Sequence, residues 1–178
     1  TSHSYVSHKT AEVLGRPYDS FKQIVCHLGN GASISAIDGG RPVETSMGLT
    51  PLQGLVMGTR SGDVDPGLHA FLARQVGMSI DEIDNLLNKQ SGMVGLAGVS
   101  DFRDIDRLIG EGDEAAQLAL DVYVHRLVSY IGAYAAVLGG LDALTFTAGV
   151  GENSDFVRKA VGDRLAGFGV LLDAEANK

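Results

Sequence analysis

The sequence predicts an α/β domain in which a small β-meander precedes a run of helices. Three observations carry this. Residues 21–28, 32–38 and 41–45 are short, strand-like stretches separated only by the glycine-containing turns "GNG" and "DGG". Helix-start signals then recur: Asp65 before Pro66, Ser79 with Glu82 three residues on, and Ser100-Asp101. After the helices, "DALTFT" and "GVLLD" return to strand-like composition.

Taken in order, residues 4–14 read as a helix stopped by Gly15, with Pro17 beyond it. The meander follows. Next comes a long loop, "SMGLTPLQGLVMGTRSGDVDPG", rich in Gly, Ser and Thr yet apolar throughout, the kind of connection that carries function. Asp65 as N-cap with Pro66 at the first helical position ends it. Ser79 and Glu82 form a capping box for a helix that Gly92 is expected to stop. Ser100 or Asp101 opens "FRDIDRLI". The stretch "DEAAQLALDVYVHRLVSYIGAYAAVL" then makes about seven helical turns. From Val122 onward it is apolar on nearly every face, so burial on several sides or packing on a second copy is expected. "DALTFTAGVGENS" reads as a buried strand breaking at a glycine turn, with a helix starting at Ser154, and "GVLLD" as a last strand.

Bulk properties narrow the function. The 178 residues are 44% apolar with a formal charge of −8. That suits a folded soluble domain and argues against a nucleic-acid or anionic-membrane surface. The longest uncharged stretch, residues 127–141, is shorter than the ~18 residues of a membrane span. The polar start "TSHSYVSHKT" holds no secretory signal, and a chain beginning without Met is expected to be a piece of a longer one. A lone cysteine, Cys26, allows no internal disulfide, which fits a reducing compartment; in its apolar strand it reads as a small buried hydrophobe.

Three segments could carry chemistry. In "GNG", Gly29 and Gly31 permit unusual backbone angles and close approach, and successive N–H groups can form an anion-binding concavity. A plain hairpin turn explains the same residues. In "FTAGVGEN", Gly149 and Gly151 lie between a strand and a helix whose first N–H groups favour an anion, although tight strand–helix packing also demands glycine. It is neither a Walker motif nor a dinucleotide fingerprint. In "MGTRSGDVDPG", Arg60 could offer a planar fork to a phosphoryl or carboxylate oxygen, or could brace the loop through Asp63 or Asp65. His27 precedes the first turn closely enough to reach the same ligand. His69 and His125 fall on helices as packing or surface residues. Asp101, Asp104 and Asp106 read as a solvated helix start, and no spacing resembles a structural zinc site.

The segments "TSHSYVS", "HLGNGASISAIDGG", "TSMGLTPLQGLVMGTRSGDVDPG", "VSDFRDI" and "FTAGVGEN", in this order, resemble the acetokinase family. The resemblance spans essentially the whole chain. It implies a ribonuclease-H-like domain of the sugar kinase, actin and heat-shock ATPase superfamily. Residues 1–178 would form most of a second, nucleotide-binding and dimerisation domain. The amino-terminal domain and a last carboxy-terminal segment would lie outside the chain. The implied reaction of the full-length parent is reversible transfer of the ATP γ-phosphoryl to acetate, giving acetyl phosphate and ADP on the way to acetyl-CoA. Propionate or butyrate kinases of the same family, and a non-catalytic nucleotide-binding module, are the alternatives. His27, Leu28, Gly29, Asn30 and Gly31 would contact the phosphates. Asp101, Phe102 and Arg103 would line the adenosine site, facing Gly149, Val150, Gly151, Glu152 and Asn153 on the far wall. Arg60 matches an arginine that stabilises the transition state, and Pro51 a residue of the pocket for the acetate methyl. Mg²⁺ would accompany ATP, with no metal ligand in this chain. A cytoplasmic homodimer, without nucleic-acid or membrane partners, completes what the resemblance implies.

Overall fold

In the computed structural model, which describes residues 2–178, one four-stranded sheet is flanked by helices on both faces. Strands β1 (Lys22–Leu28), β2 (Ala32–Asp38) and β3 (Arg41–Thr45) form the expected antiparallel meander. Strand β4 (Ala143–Thr147) joins β1 in parallel, giving the order β3-β2-β1-β4. The registers Leu28↔Ala32 and His27↔Thr147 bring the β1–β2 turn and the end of β4 to the same end of the sheet.

Side-chain alternation along β1 and β2 divides the core. Ile24, Cys26, Leu28, Ile34 and Ala36 face the long helix and the main core. Gln23, Val25 and Ser33 point to the opposite face, where helix α1 (Ser2–Leu14) covers them: the Gln23 amide donates to the Ser7 carbonyl and His3 bonds the Ser33 hydroxyl. Cys26 is fully buried, and burial pushes its thiol up, so it packs and does not react. Strand β3 is exposed at every residue, an edge protected by Arg41, Pro42 and Glu44.

Helices α2 (Gly67–Phe71), α3 (Ile80–Lys89), α4 (Gly92–Ala97), α5 (Phe102–Gly110), α6 (Glu114–Leu138), α7 (Ala148–Asn153) and α8 (Asp155–Leu165) complete the fold. Most of their starts follow the capping signals, but α2 begins one residue later than expected, with Pro66 and not Asp65 at its N-cap position. The Asp65 carboxylate accepts the Gly67 N–H, the Ser79–Glu82 capping box is complete, and Asp101 and Asp113 cap α5 and α6.

Four further expectations are corrected. Gly92 does not stop α3, which ends at Lys89; at φ +62° it opens α4, because a Cβ there would meet the Met57 and Arg60 carbonyls. "AGVGEN" is not a glycine turn but helix α7, entered through Ala148 at φ +67°. Strand β4 is half-buried, not buried, since it is the edge opposite β3. "GVLLD" forms no strand. Leu172 packs over Gly162, and Arg158 binds the side chain and carbonyl of Asn177, so this tail is tied to α8 while Leu171 stays 91% exposed.

Helix α6 is less apolar all round than its composition suggests. Its buried residues, including Leu120, Tyr123, Val124, Leu127, Ile131 and Leu138, recur at helical spacing on the face toward the sheet, α4, α5 and α8. Leu127 is 1% exposed and Leu118 57%. Leu127→Ala should therefore destabilise the full-length protein by about 2–5 kcal/mol. Leu118→Ala should cost less than about 0.5 kcal/mol, as a surface change. Urea unfolding of both variants checks this; equal losses would place both faces of α6 in contact.

Candidate functional site

At the common end of β1 and β4 lies a cleft of about 700 Å³. Gly29 and Asn30 of the β1–β2 turn form one side. Asp101, Phe102 and Arg103 at the start of α5 form another, and Gly149, Val150 and Asn153 of α7 face them. The two glycine motifs, more than a hundred residues apart, thus share one recess because β1 and β4 run parallel in register.

The turn is shaped by space more than by backbone angle. Neither Gly29 nor Gly31 has positive φ. A Cβ on Gly29 would sit 3.3 Å from the Gly31 carbonyl, and one on Gly31 would sit 3.2 Å from Arg60 Nη1. Gly29 N–H donates to the Gly31 carbonyl, and Gly58 N–H to that of Asn30. The N–H groups of Asn30 and Gly31 have no partner among the described residues and remain available to a ligand. Glycine at position 31 is thus what lets the Arg60 guanidinium lie against this turn.

Arg60 itself sits in the long loop, with Nη1 3.4 Å from the Pro51 carbonyl and 3.7 Å from Met57 Sδ. It pairs with no carboxylate among the described residues. Asp63 accepts from Gly54 N–H and the Tyr130 hydroxyl instead, and Asp65 from Gly67 N–H. The bracing role through Asp63 or Asp65 is therefore not what the arginine does. Pro51 is exposed beside it.

The other sequence candidates separate. Asp101 caps α5 and is gripped by the Arg103 backbone and guanidinium, which hold its carboxyl at about 2. Phe102 is buried, edge-on to Tyr123 with ring centroids 4.8 Å apart, and anchors the wall. Leu28 is wholly buried and offers only main chain. Gly151 packs on Phe146, a structural demand for glycine. Glu152 turns back to accept from Ala148 N–H and the Thr147 hydroxyl. Its carboxylate already occupies the start of α7, so that helix end is no anion site for a ligand. His27 also lies outside the cleft. It lines a smaller recess with Thr147 and Glu152, its ring centroid 5.9 Å from that of His3.

Sequence reasoning missed several wall residues. Ser154 shows in the sequence only as a helix start, yet it lines the cleft with a buried hydroxyl that has no partner among the described residues. Ser100, Asp106 and Phe156 line the cleft too. His3 lies outside these walls, on α1 beside His27. Its burial, and then the neighbouring His27, push it down to about 4.

The mixed sheet, with the strand order and the end-of-sheet cleft just described, is the ribonuclease-H-like architecture of the sugar kinase, actin and heat-shock ATPase superfamily. The chain belongs to the acetokinase family, whose profile matches residues 1–178. It is 60% identical over 177 residues to an acetate kinase of Leifsonia xyli, covering 99% of this chain and 45% of that protein. An acetate kinase of Streptomyces griseus is 62% identical over 177 residues, with 99% and 43% covered. The crystal structure of Porphyromonas gingivalis acetate kinase superposes with TM-score 0.96 at 47% identity, covering 99% of this chain and 45% of that one. A propionate kinase from Francisella tularensis gives TM-score 0.94 at 45% identity over the same shares. The chain thus spans less than half the length of the relatives it matches.

The depressed His3 fixes the sign of a pH effect. The unfolded chain binds a proton near pH 6.5 that the folded chain refuses until about 4. The contribution of His3 to stability is therefore most favourable above 6.5 and falls as pH drops through that window. Replacing His3 with Gln should flatten the slope of stability against pH between 6.5 and 4. Equilibrium unfolding at a series of pH values checks this; an unchanged slope would put the protonation elsewhere.

Proposed function

We propose that the full-length protein transfers the γ-phosphoryl group of ATP reversibly to acetate, and that residues 1–178 supply most of its nucleotide-binding and dimerisation domain. The observation that carries this reading is that the Arg60 guanidinium, with no carboxylate partner among the described residues, lies against the Asn30–Gly31 turn, of which Asn30 lines a cleft of about 700 Å³. Family membership and the acetate kinase relatives support it.

Phosphoryl transfer asks little covalent work of a protein. It needs in-line placement and positive charge on the equatorial oxygens. In this reading the adenosine lies between Asp101–Arg103 and α7, and the phosphates run along the β1–β2 turn. Asn30 and Gly31 N–H donate to phosphate oxygens. Arg60, fixed next to the same turn, meets the γ-phosphoryl as charge spreads over its oxygens. An acetate oxygen attacks that phosphorus, the bond to the β–γ bridging oxygen breaks, and ADP leaves with that oxygen. Pro51, whose carbonyl touches the Arg60 guanidinium, borders the space for the acetate methyl. His27, in its recess beside the turn, would reach the phosphates only from the α1 side.

No group of three His, Cys, Asp or Glu among the described residues could hold a metal ion. In this reading a magnesium ion enters with the nucleotide, as part of the substrate. The reading also carries a cytoplasmic location and a homodimer, with ADP and acetyl phosphate as products that lead to acetyl-CoA. Support for the dimer comes from apolar residues left outside the core: Leu49 is wholly exposed, and Val137 on α6 is 60% exposed. Propionate is the second acyl substrate to test, because of the resemblance to a propionate kinase. One methylene is worth only about 1–3 kcal/mol in a pocket, so both acids belong in the assay.

Steady-state kinetics of the full-length protein with acetate, propionate and butyrate test the reading; no phosphoryl transfer to any of them overturns it. Arg60→Ala should lower kcat by roughly 10³-fold while the KM for ATP changes little, because the contact is made mainly in the transition state. Lys at this position should rescue poorly, since a point charge does not reproduce the planar fork. An unchanged kcat would retire Arg60 as a catalytic residue.

A further inference from the structure

We propose that Tyr130 and Asp63 are positioning residues that hold the Arg60 loop on helix α6 and so set where the guanidinium lies. The proposal rests on the catalytic reading of Arg60 given above, and its geometry stands in the fold independently of that reading.

Residues 54–63 form a closed ring. Asp63 N–H donates to the Gly54 carbonyl, and Gly54 N–H donates back to Asp63 Oδ1, both at 3.0 Å. The neck admits no side chain. A Cβ on Gly62, at φ +71°, would lie 2.4 Å from the Leu55 carbonyl oxygen, and one on Gly54 would lie 2.5 Å from that of Ser46. Inside the ring, Met57 N–H donates to the Arg60 carbonyl and turns the chain back at residues 58–59. Further contacts stitch the ring to the turn and to α3 and α4. Gly58 N–H reaches Asn30, Ser61 N–H reaches Leu87, and Met93 N–H reaches Met57.

One carboxylate oxygen remains for an attachment outside the ring. Asp63 Oδ2 accepts the Tyr130 hydroxyl at 2.6 Å and has Arg126, one turn earlier on α6, at 3.9 Å. Tyr130 is itself set edge-on against Tyr134, with centroids 5.6 Å apart and planes at 88°, so its ring cannot swing to follow a moving loop. Burial, and then the hydrogen bond to Asp63, push the phenol above its ordinary range and keep it a donor. A short bond to a carboxylate is among the stronger neutral-to-charged contacts. The long core helix is thus coupled to the guanidinium through one hydroxyl and one carboxylate. Neither group touches the cleft: Tyr130 and Asp63 are absent from its walls.

The test uses the full-length protein and three readouts. Tyr130→Phe deletes only the hydroxyl. It should lower kcat roughly ten- to a hundredfold, as misplacement of a catalytic group does, with little change in the KM for ATP. Asp63→Asn keeps the side-chain size and one acceptor. It should give the same loss, and the two changes together should cost no more than one alone. Tyr130→Phe should also speed amide hydrogen exchange at Met57 and Asp63 relative to the β1 amides. In an Arg60→Ala background, Tyr130→Phe should produce no further fall in kcat. A merely structural role predicts the same proportional fall in both backgrounds, and that result overturns the proposal. Full kcat in Tyr130→Phe overturns it as well. If Arg60→Ala itself keeps wild-type kcat, the catalytic reading has failed, and exchange at Met57 and Asp63 alone decides whether Tyr130 holds the loop: unchanged exchange refutes it.

Discussion

Everything functional in this domain depends on one pairing, the parallel alignment of β1 with β4. The two strands are separated by more than a hundred residues and by five helices, yet their ends coincide at His27 and Thr147. A shift of one residue would turn every side chain of β4 to the wrong face. It would also carry α7 away from the β1–β2 turn and open the cleft. The long helix α6 makes the crossover, and its buried stripe lies on the face of β1 and β2 that carries Ile24, Cys26 and Ile34. Packing of α6 on the meander therefore fixes the register, and the register builds the site.

A second constraint acts at shorter range. Around Arg60 the main chain is packed so closely that hydrogen atoms stand where side chains would otherwise be, at Gly31, Gly54, Gly58, Gly62 and Gly92. Interiors of this density transmit displacement instead of absorbing it. The guanidinium is thereby held by backbone contacts and by the Asp63 attachment to Tyr130 and Arg126 of α6, with no competing carboxylate to neutralise it.

Much of this was legible in the chain. The meander, the caps at Ser79 and Asp101, and the long helix all rest on local rules, and local rules are what one sequence carries. Elements decided by tertiary competition were not legible. "GVLLD" has the composition of a strand, but Arg158 and Gly162 bind the tail to α8 before it can reach the sheet. "AGVGEN" holds two glycines and still winds into a helix, its first N–H, that of Ala148, satisfied by Glu152. At the site, the motifs located the cleft well but did not say which way each side chain points. Alternation along β1 sends Leu28 inward and His27 toward α1, so only the glycine and asparagine main chain remains for a ligand. Ser154 and Phe156 entered the wall from a helix start that gave no chemical signal of its own.

Glu152, folded back on the first turn of α7, has a consequence for the direction in which a guest can lie. Asp106 and Asp155 stand on the walls with Asp101, which is paired with the Arg103 guanidinium, and Glu152 adds a further negative charge behind α7. Bare N–H groups and an uncompensated guanidinium stand at the hairpin. The recess is therefore electrically lopsided. A molecule with one strongly anionic end and one neutral, aromatic end fits it in a single sense, because reversal would set the anion among carboxylates. Polarity of seating, which decides which atom is presented to the reacting partner, is in this way written into the cleft itself.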